Sequence, residues 1–279
     1  MHQLLKKTIL TGHSTIDGAG VRLFRAFANE HATLTDPFLL LDLFGSDRPE
    51  EYARGFPWHP HRGIETVTYM LEGQVDHEDN IGNKGTIDSG DIQWMTAGSG
   101  IYHQEMPRKK TGMLQGIQLW VNLSSGNKMT APKYRGITSN EIPVIKKDGL
   151  EVRVISGTYD HQKGPVVDLN VDVEYFDISL DQGKIIEFDL KKDYTTFCFL
   201  IDGSGDFEGS ILEKKQLILF KDTEKMEVKA TEKVRFLLVS GMPIHEPIAW
   251  GGPIVMNTRE ELQKAFDELD NGTFIKTNG

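Results

Sequence analysis

The chain has 279 residues, 38% hydrophobic and 26% charged, which is enough apolar material for one large or two ordinary globular domains. Its formal net charge of -10 argues against direct nucleic-acid binding, because that function needs a concentration of Lys and Arg. The single cysteine, Cys198, excludes an intrachain disulfide and lies in a strand-like run typical of a buried thiol. Without disulfides, an export signal or an apolar run long enough for a membrane, the sequence predicts a cytoplasmic protein.

Short strands separated by turn residues dominate the first half of the chain. Residues 21–27 form a strand-like run, and the apolar run 36–45 is too short for a typical globular helix. Apolar side chains alternate along 63–71 and along 116–123, as they do in half-buried strands. Many short strands at close spacing favour a sandwich or a barrel.

Two stretches near the middle of this half carry imidazole and carboxylate groups in alternation. The first stretch contributes His59, His61 and Glu65, and the second contributes His103 and Glu105. Side chains two residues apart point to the same face of a strand. Two such strands aimed at a common interior would bring three imidazoles and a carboxylate together, which predicts a mononuclear metal site inside a β-barrel.

Neutral imidazoles and a carboxylate suit divalent first-row metals, and four protein ligands leave open positions on an octahedral ion. The alternative is that these histidines cap strands or form a hydrogen-bonded polar cluster. His77 lies among charged residues and is predicted to sit at a solvated strand end. The other histidines have no partner at ligand spacing.

The second half repeats the strand pattern after a connector over 132–149. It lacks clustered His and Glu, so the sequence predicts no second metal site there. The one convincing helix is terminal: a capping box at Thr258 precedes an apolar face. The members of that face are Leu262, Ala265, Phe266 and Leu269.

Several of these stretches resemble one family. Residues 59–69 (HPHRGIETVTY) resemble the first half of the pirin signature, and 90–105 (GDIQWMTAGSGIYHQE) resemble the second. Residues 36–42 and 118–123 are similar to its flanking segments, and 246–258 to its carboxy-terminal stretch.

This resemblance implies an all-β bicupin, with two jelly-roll β-barrel domains and a short C-terminal helix. The N-terminal metal-binding cupin domain would span 1–135, and a C-terminal cupin domain without a metal site would span 136–279. One divalent metal ion, iron(II), is implied in the first domain, and its implied ligands are His59, His61, His103 and Glu105. Glu65 occupies the position that supplies a carboxylate in many other cupins, and we expect it to lie beside the ligands.

The resemblance also implies a function: quercetin 2,3-dioxygenase activity, in which O2 opens a flavonol ring and carbon monoxide is released. Glu105 would be the catalytic residue that accepts the flavonol 3-hydroxyl proton. Phe56 and Trp58 would either wall the substrate site or serve ordinary barrel packing. The implied alternatives are an iron-dependent transcription cofactor that binds a regulatory protein, and a metal-binding housekeeping protein with incidental flavonol activity. An open cavity favours the enzyme, and a closed mouth beside an exposed apolar patch favours the cofactor.

Overall fold

The computed structural model describes residues 7–108 and 112–276. Strands predominate, and the described α-helices are Ala32–Thr35 (α1) and Arg259–Asp270 (α2). Neither of these helices is both long and apolar enough to cross a membrane. The strands of the first half are β1 (Lys7–Thr11), β2 (His13–Asp17), β3 (Val21–Phe27), β4 (Phe38–Ser46), β5 (Phe56–His61), β6 (Ile64–Glu72), β7 (Val75–Asp79), β8 (Lys84–Ile87), β9 (Ile92–Thr96), β10 (Ile101–Pro107), β11 (Leu114–Asn122) and β12 (Lys133–Ile137). Those of the second half are β13 (Val144–Lys147), β14 (Leu150–Ser156), β15 (Thr158–Tyr159), β16 (Gln162–Lys163), β17 (Val173–Leu180), β18 (Ile185–Asp189), β19 (Thr195–Asp202), β20 (Ser204–Phe207), β21 (Ser210–Glu213), β22 (Gln216–Phe220), β23 (Lys225–Ala230), β24 (Val234–Gly241), β25 (Ala249–Gly251) and β26 (Ile254–Met256).

The chain forms two compact units, each a jelly-roll β-barrel, as expected for an all-β bicupin. The described residues of the first barrel are 14–34, 38–108, 112–139 and 244–276, and those of the second barrel are 7–13, 35–37 and 140–243.

The units differ from the linear division into 1–135 and 136–279 mainly at the two chain ends. Near the start, β1 satisfies its backbone hydrogen bonds by pairing with β22 of the second barrel. Near the end, α2 packs its apolar face on β25 and β26 of the first barrel. Each end therefore belongs to the barrel that completes its hydrogen bonds or covers its apolar surface.

The first barrel combines a seven-stranded and a four-stranded antiparallel sheet. The larger sheet has the strand order β12-β9-β6-β11-β4-β3-β2, and the smaller has the order β5-β10-β7-β8. The predicted strand over 21–27 is β3, and the alternating segments 63–71 and 116–123 lie in β6 and β11.

The second barrel repeats this arrangement with a filled interior. Its sheets have the orders β1-β22-β19-β24-β17-β14-β13 and β18-β23-β20-β21. Aliphatic and aromatic side chains such as Phe207 and Phe236 pack together between its strands. Cys198 belongs to this core, and burial raises the pKa of its thiol well above the ordinary value, which confirms the prediction of a buried cysteine.

The terminal helix has the predicted capping box. The Thr258 side chain accepts a hydrogen bond from the Glu261 amide, and the Glu261 carboxylate accepts one in return from the Thr258 amide. α2 is the longer of the two described helices, as the sequence predicts.

Arg62 links the segment around α2 to the strands of the first barrel. Only 2% of its surface is exposed, and it forms a 2.7 Å ion pair with Glu268. Its guanidinium also donates to the carbonyl oxygens of Ser99 at 2.8 Å and Phe274 at 2.6 Å, and lies 4.1 Å from the Phe274 ring centre. Three acceptors therefore satisfy one buried cation.

Replacing Arg62 by Met should lower the free energy of unfolding of the first barrel by about 3 kcal/mol, because two carbonyls lose their donor and the Glu268 carboxylate keeps only Lys276 as a cationic partner. Tryptophan fluorescence during urea denaturation measures this barrel selectively, since all four tryptophans lie within it. Arg108→Met is the matched control, because Arg108 is largely exposed. Equal stability of the two variants would contradict the anchoring role.

Candidate metal centre

The antiparallel pairing of β5 with β10 brings the predicted ligands together. In this register His59 lies opposite His103, and His61 lies opposite Ile101. The two strands are neighbours in the four-stranded sheet, so the side chains that share a face point into the same barrel. The alternation seen in the sequence thus brings His59, His61 and His103 into one group.

The three histidines form a compact group. Their donor nitrogens lie within 4.8 Å of one another. The ring centre of His59 is 4.8 Å from that of His61 and 4.3 Å from that of His103. Burial and neighbouring imidazoles lower the pKa of His61 and His103 well below the ordinary value. The rings are therefore neutral near pH 7 and present lone pairs, as metal ligands must.

Backbone carbonyls orient two of these rings. His59 Nδ1 lies 2.8 Å from the Pro57 oxygen, and His61 Nδ1 lies 3.2 Å from the Pro253 oxygen. Each Nδ1 therefore carries the proton, and the lone pair of Nε2 is left free to bind a metal. His103 differs: within residues 7–108 and 112–276, neither of its buried ring nitrogens has a hydrogen-bond partner.

Glu105 lies on β10 two residues beyond His103, after a bulge in the pairing with β5. Its Oε1 accepts hydrogen bonds from Thr68 at 2.8 Å and from Gln93 at 3.4 Å. Burial raises the pKa of its carboxyl to about 7, and these hydrogen bonds oppose the shift. Glu105, His103 and His77 each offer one potential metal-ligand atom, and these atoms lie within 4.8 Å of one another.

His77 is not at a solvated strand end, and the prediction for this residue was wrong. It is 1% exposed, because the pairing of β7 with β10 places it opposite Glu105 on the inner face. Its ring stacks on Tyr134 with ring centres 4.9 Å apart. The charged sequence neighbours of His77 suggested a solvent-exposed position. Side chains alternate along β7, however, and every second one, including His77, is buried.

Glu65 is also not beside the ligands. Its carboxylate accepts hydrogen bonds from the Trp94 indole at 2.8 Å and from the Thr96 hydroxyl at 2.7 Å. It lies three positions before Thr68 along β6, so it is on the opposite face from the Thr68 that bonds Glu105.

A cavity of about 620 Å³ opens beside the cluster. His59, His61, His103 and Glu105 all line it. The other walls are largely apolar, and they comprise Leu23, Leu40, Phe44, Phe56, Trp58, Trp120 and Trp250 among others. Phe56 and Trp58 thus contact the cavity, and Phe56 also packs edge-on against Phe44 with ring centres 6.0 Å apart.

A row of polar side chains crosses the inner face of the larger sheet. Each member lies directly opposite the next on the neighbouring strand. In order the row is Arg25, Asp42, Gln118, Thr68 and Gln93. Arg25 donates to both oxygens of Asp42, at 2.9 and 2.7 Å. Thr68 bonds Gln118 at 3.0 Å as well as Glu105, so the row reaches one of the predicted ligands. Sequence reasoning missed the row because its members come from five strands.

Two buried features hold the backbone next to His61. Gly63 has a φ of +78°, and a Cβ there would collide with the Val255 carbonyl oxygen. Lys128, 2% exposed, donates to the Gly63 oxygen at 2.8 Å and to Asn122 at 2.5 Å. Burial lowers the pKa of Lys128 to about 7.

Family models agree with this architecture. The Pirin model matches residues 20–121, and the model of the pirin C-terminal cupin domain matches residues 175–275. This chain belongs to the pirin family. The pirin is 44% identical over 268 residues to a pirin-like protein from Caulobacter vibrioides, covering 95% of this chain and 97% of that one. It is 40% identical to the pirin of Rattus norvegicus, covering 91% of this chain and 88% of that one.

A solved structure extends this similarity to the whole fold. The pirin superposes on the crystal structure of a quercetin 2,3-dioxygenase from Acinetobacter baumannii with a TM-score of 0.89 and 34% identity. The match covers 96% of each chain.

The titration of Glu105 predicts a pH dependence for the metal-free pirin. The pKa is raised to about 7 from 4.5, so the folded protein binds this proton more tightly than the unfolded chain does. The resulting stabilisation is fully present below pH 4.5 and is lost as pH rises through about 7. Relative to Glu105→Gln, the parent should therefore lose about 3 kcal/mol of free energy of unfolding over that interval.

Urea denaturation of both metal-free proteins across this range measures the difference, and the histidine contributions, common to both, cancel. Glu72→Gln, which changes an exposed carboxyl, is the control. A stability difference between parent and Glu105→Gln that does not vary with pH would contradict the assignment.

Proposed function

We propose that this pirin is an iron(II)-dependent dioxygenase that opens the ring of a flavonol with O2. The observation that carries the proposal is the group of three neutral imidazoles, His59, His61 and His103, at the wall of an apolar cavity that Glu105 also lines. The similarity to a quercetin 2,3-dioxygenase over 96% of the chain supports the same reaction class.

The donor set fits a divalent ion. His103 has two buried ring nitrogens without a partner in the described part of the chain, and such atoms cost about 1–3 kcal/mol each unless something binds them. We propose His59, His61, His103 and Glu105 as the ligands. A divalent metal bound there supplies Lewis acidity and open coordination positions for oxygen ligands.

The cavity suits a flat aromatic substrate. Its volume of about 620 Å³ falls within the range of small-molecule sites, and most of its wall is apolar. Trp120 and Trp250 stack with ring centres 5.8 Å apart, and Trp120 meets His61 edge-on at 5.1 Å. This aromatic surface lies beside the proposed ligands, where it can hold a fused ring system by stacking.

The polar row selects for hydroxyl groups on that substrate. Arg25, Asp42 and Gln118 line the cavity. A polyhydroxylated ring offers both donors and acceptors to such a row. A purely apolar ligand could form no hydrogen bond with this row, which disfavours its binding.

Glu105 provides the proton acceptor. Its Oε1 is occupied by the Thr68 and Gln93 donors, so Oε2 is the oxygen that can contact a metal or take a proton. With a pKa of about 7 in the metal-free site, the carboxyl exchanges a proton readily near neutral pH. We assign it the removal of the proton from the flavonol 3-hydroxyl. An open, aromatic cavity favours this enzymatic function over protein binding.

The direct test is aerobic incubation of quercetin with iron-loaded and metal-stripped protein, with carbon monoxide measured. We expect carbon monoxide in proportion to quercetin consumed, and only with loaded protein. Loaded protein that consumes no quercetin would overturn the proposal.

Single replacements should separate metal binding from proton transfer. His59→Ala, His61→Ala and His103→Ala should each lose most of the metal, because the cluster has one imidazole fewer. Metal content per chain, measured by elemental analysis, checks this. His13→Ala, at an exposed histidine, should keep the parent content. Full metal content in any cluster variant would remove that residue from the ligand set.

Glu105→Gln should retain part of the metal but lose turnover by a factor of about 10²–10⁴, because the amide keeps an oxygen donor and cannot take up a proton. Metal content and steady-state rate must be measured on the same preparation. A fully loaded variant with the parent rate would exclude Glu105 as the base.

A further inference from the structure

His103 lacks the support that its two neighbours have. His59 and His61 each present Nδ1 to a backbone carbonyl, which sets the ring orientation and the position of the proton. Both nitrogens of His103 are buried and have no hydrogen-bond partner within the described ranges. A ligand imidazole needs a partner for its second nitrogen, so the group that serves His103 must come from elsewhere in the cluster.

His77 is the group placed to do this. Its ring centre lies 5.5 Å from that of His103, at an interplanar angle of 50°. This separation allows an N–H···N contact of about 3 Å after rotation of one ring. His77 Nδ1 is buried without a partner in the described residues, and the donor atoms of His77, His103 and Glu105 lie within 4.8 Å of one another.

Asp79 determines which His77 nitrogen carries the proton. Its Oδ2 lies 3.4 Å from His77 Nε2. Three donors hold the carboxylate: the amides of Ile81 at 3.1 Å and Asn83 at 2.9 Å, and the Asn83 side chain at 2.7 Å. Asp79 therefore accepts the Nε2 proton of His77, and the neutral ring is left with an unprotonated Nδ1 that can only accept.

The partner of that acceptor must have a proton to donate. A neutral His103 has one N–H, and its ring centre lies 5.5 Å from that of His77. We propose that His77, held by Asp79, is a positioning residue that accepts this N–H and so directs the other nitrogen of His103 to the metal. The chain of contacts runs from Asp79 through His77 to His103. His103 is thereby supported by a carboxylate acting through His77, whereas His59 and His61 are each held by a backbone carbonyl.

This inference rests on the proposed metal site but not on the proposed reaction, so its test measures binding of the metal alone. Cobalt(II) is titrated into metal-free protein, and its visible absorption gives both affinity and coordination. His77→Phe keeps a ring to stack on Tyr134 but removes the nitrogen acceptor, and cobalt affinity should fall about 10–100-fold. His77→Gln supplies an amide oxygen as acceptor and should recover part of that loss.

Asp79→Asn leaves His77 in place, and it should weaken cobalt binding and change the absorption spectrum, because the charge behind the imidazole is lost. His13→Phe is the control at an exposed histidine. Urea denaturation of each metal-free variant, followed by tryptophan fluorescence, shows whether the first barrel remains folded. A merely structural His77 would lower this stability and leave the cobalt affinity of the folded protein unchanged.

The outcomes distinguish the two proposals. If His59→Ala keeps the parent cobalt affinity, the metal site itself is wrong. If His59→Ala loses cobalt while folded His77→Phe and Asp79→Asn bind it as the parent does, only the role of His77 is overturned.

Discussion

The pairing of β5 with β10 is the constraint on which the centre of the first barrel depends. These neighbouring strands place His59 directly opposite His103. A shift of the pairing by one residue would turn one set of side chains to the other face of the sheet and separate the imidazoles. The register is supported on the far side of β10, where β7 pairs with it and contributes His77 and Asp79. Backbone hydrogen bonding thus assembles a group of ionisable side chains that would not otherwise collect in a barrel interior.

The two barrels share the same arrangement of sheets but differ in what occupies their interiors. The second barrel fills its interior with apolar side chains, including Phe207 and Phe236 packed edge-on at 5.1 Å. The first leaves a cavity of about 620 Å³ and lines part of it with imidazole, carboxylate and amide groups. An interior of this kind loses packing energy and buries polar atoms. Much of that cost is offset by hydrogen bonds within the polar row, such as the paired contacts between Arg25 and Asp42.

Two buried basic side chains stabilise the backbone around the cluster. Arg62 and Lys128 are both 2% exposed, and they donate to three and two oxygens of the first barrel, respectively. Arg62 directly follows the ligand candidate His61, and Lys128 holds the next carbonyl, that of Gly63. Rigid backbone at this point matters because a ligand set must be preorganised to bind a metal tightly. The candidate ligands and the buried side chains that support them therefore belong to one packed structure.

The sequence by itself determined the all-β class, most strand positions in both halves, the capped terminal helix and the histidines that meet in one cluster. These features follow from short-range periodicity and capping chemistry, which depend on residues a few positions apart. Only the tertiary structure decided which barrel each chain end joins, because that depends on a partner strand or surface far away in the sequence. It also decided that His77 is buried beside His103 and that Glu65 faces Trp94 and Thr96 instead. Alternation shows that two residues share a face, but only strand order and register show which face is the interior and what lies across from it.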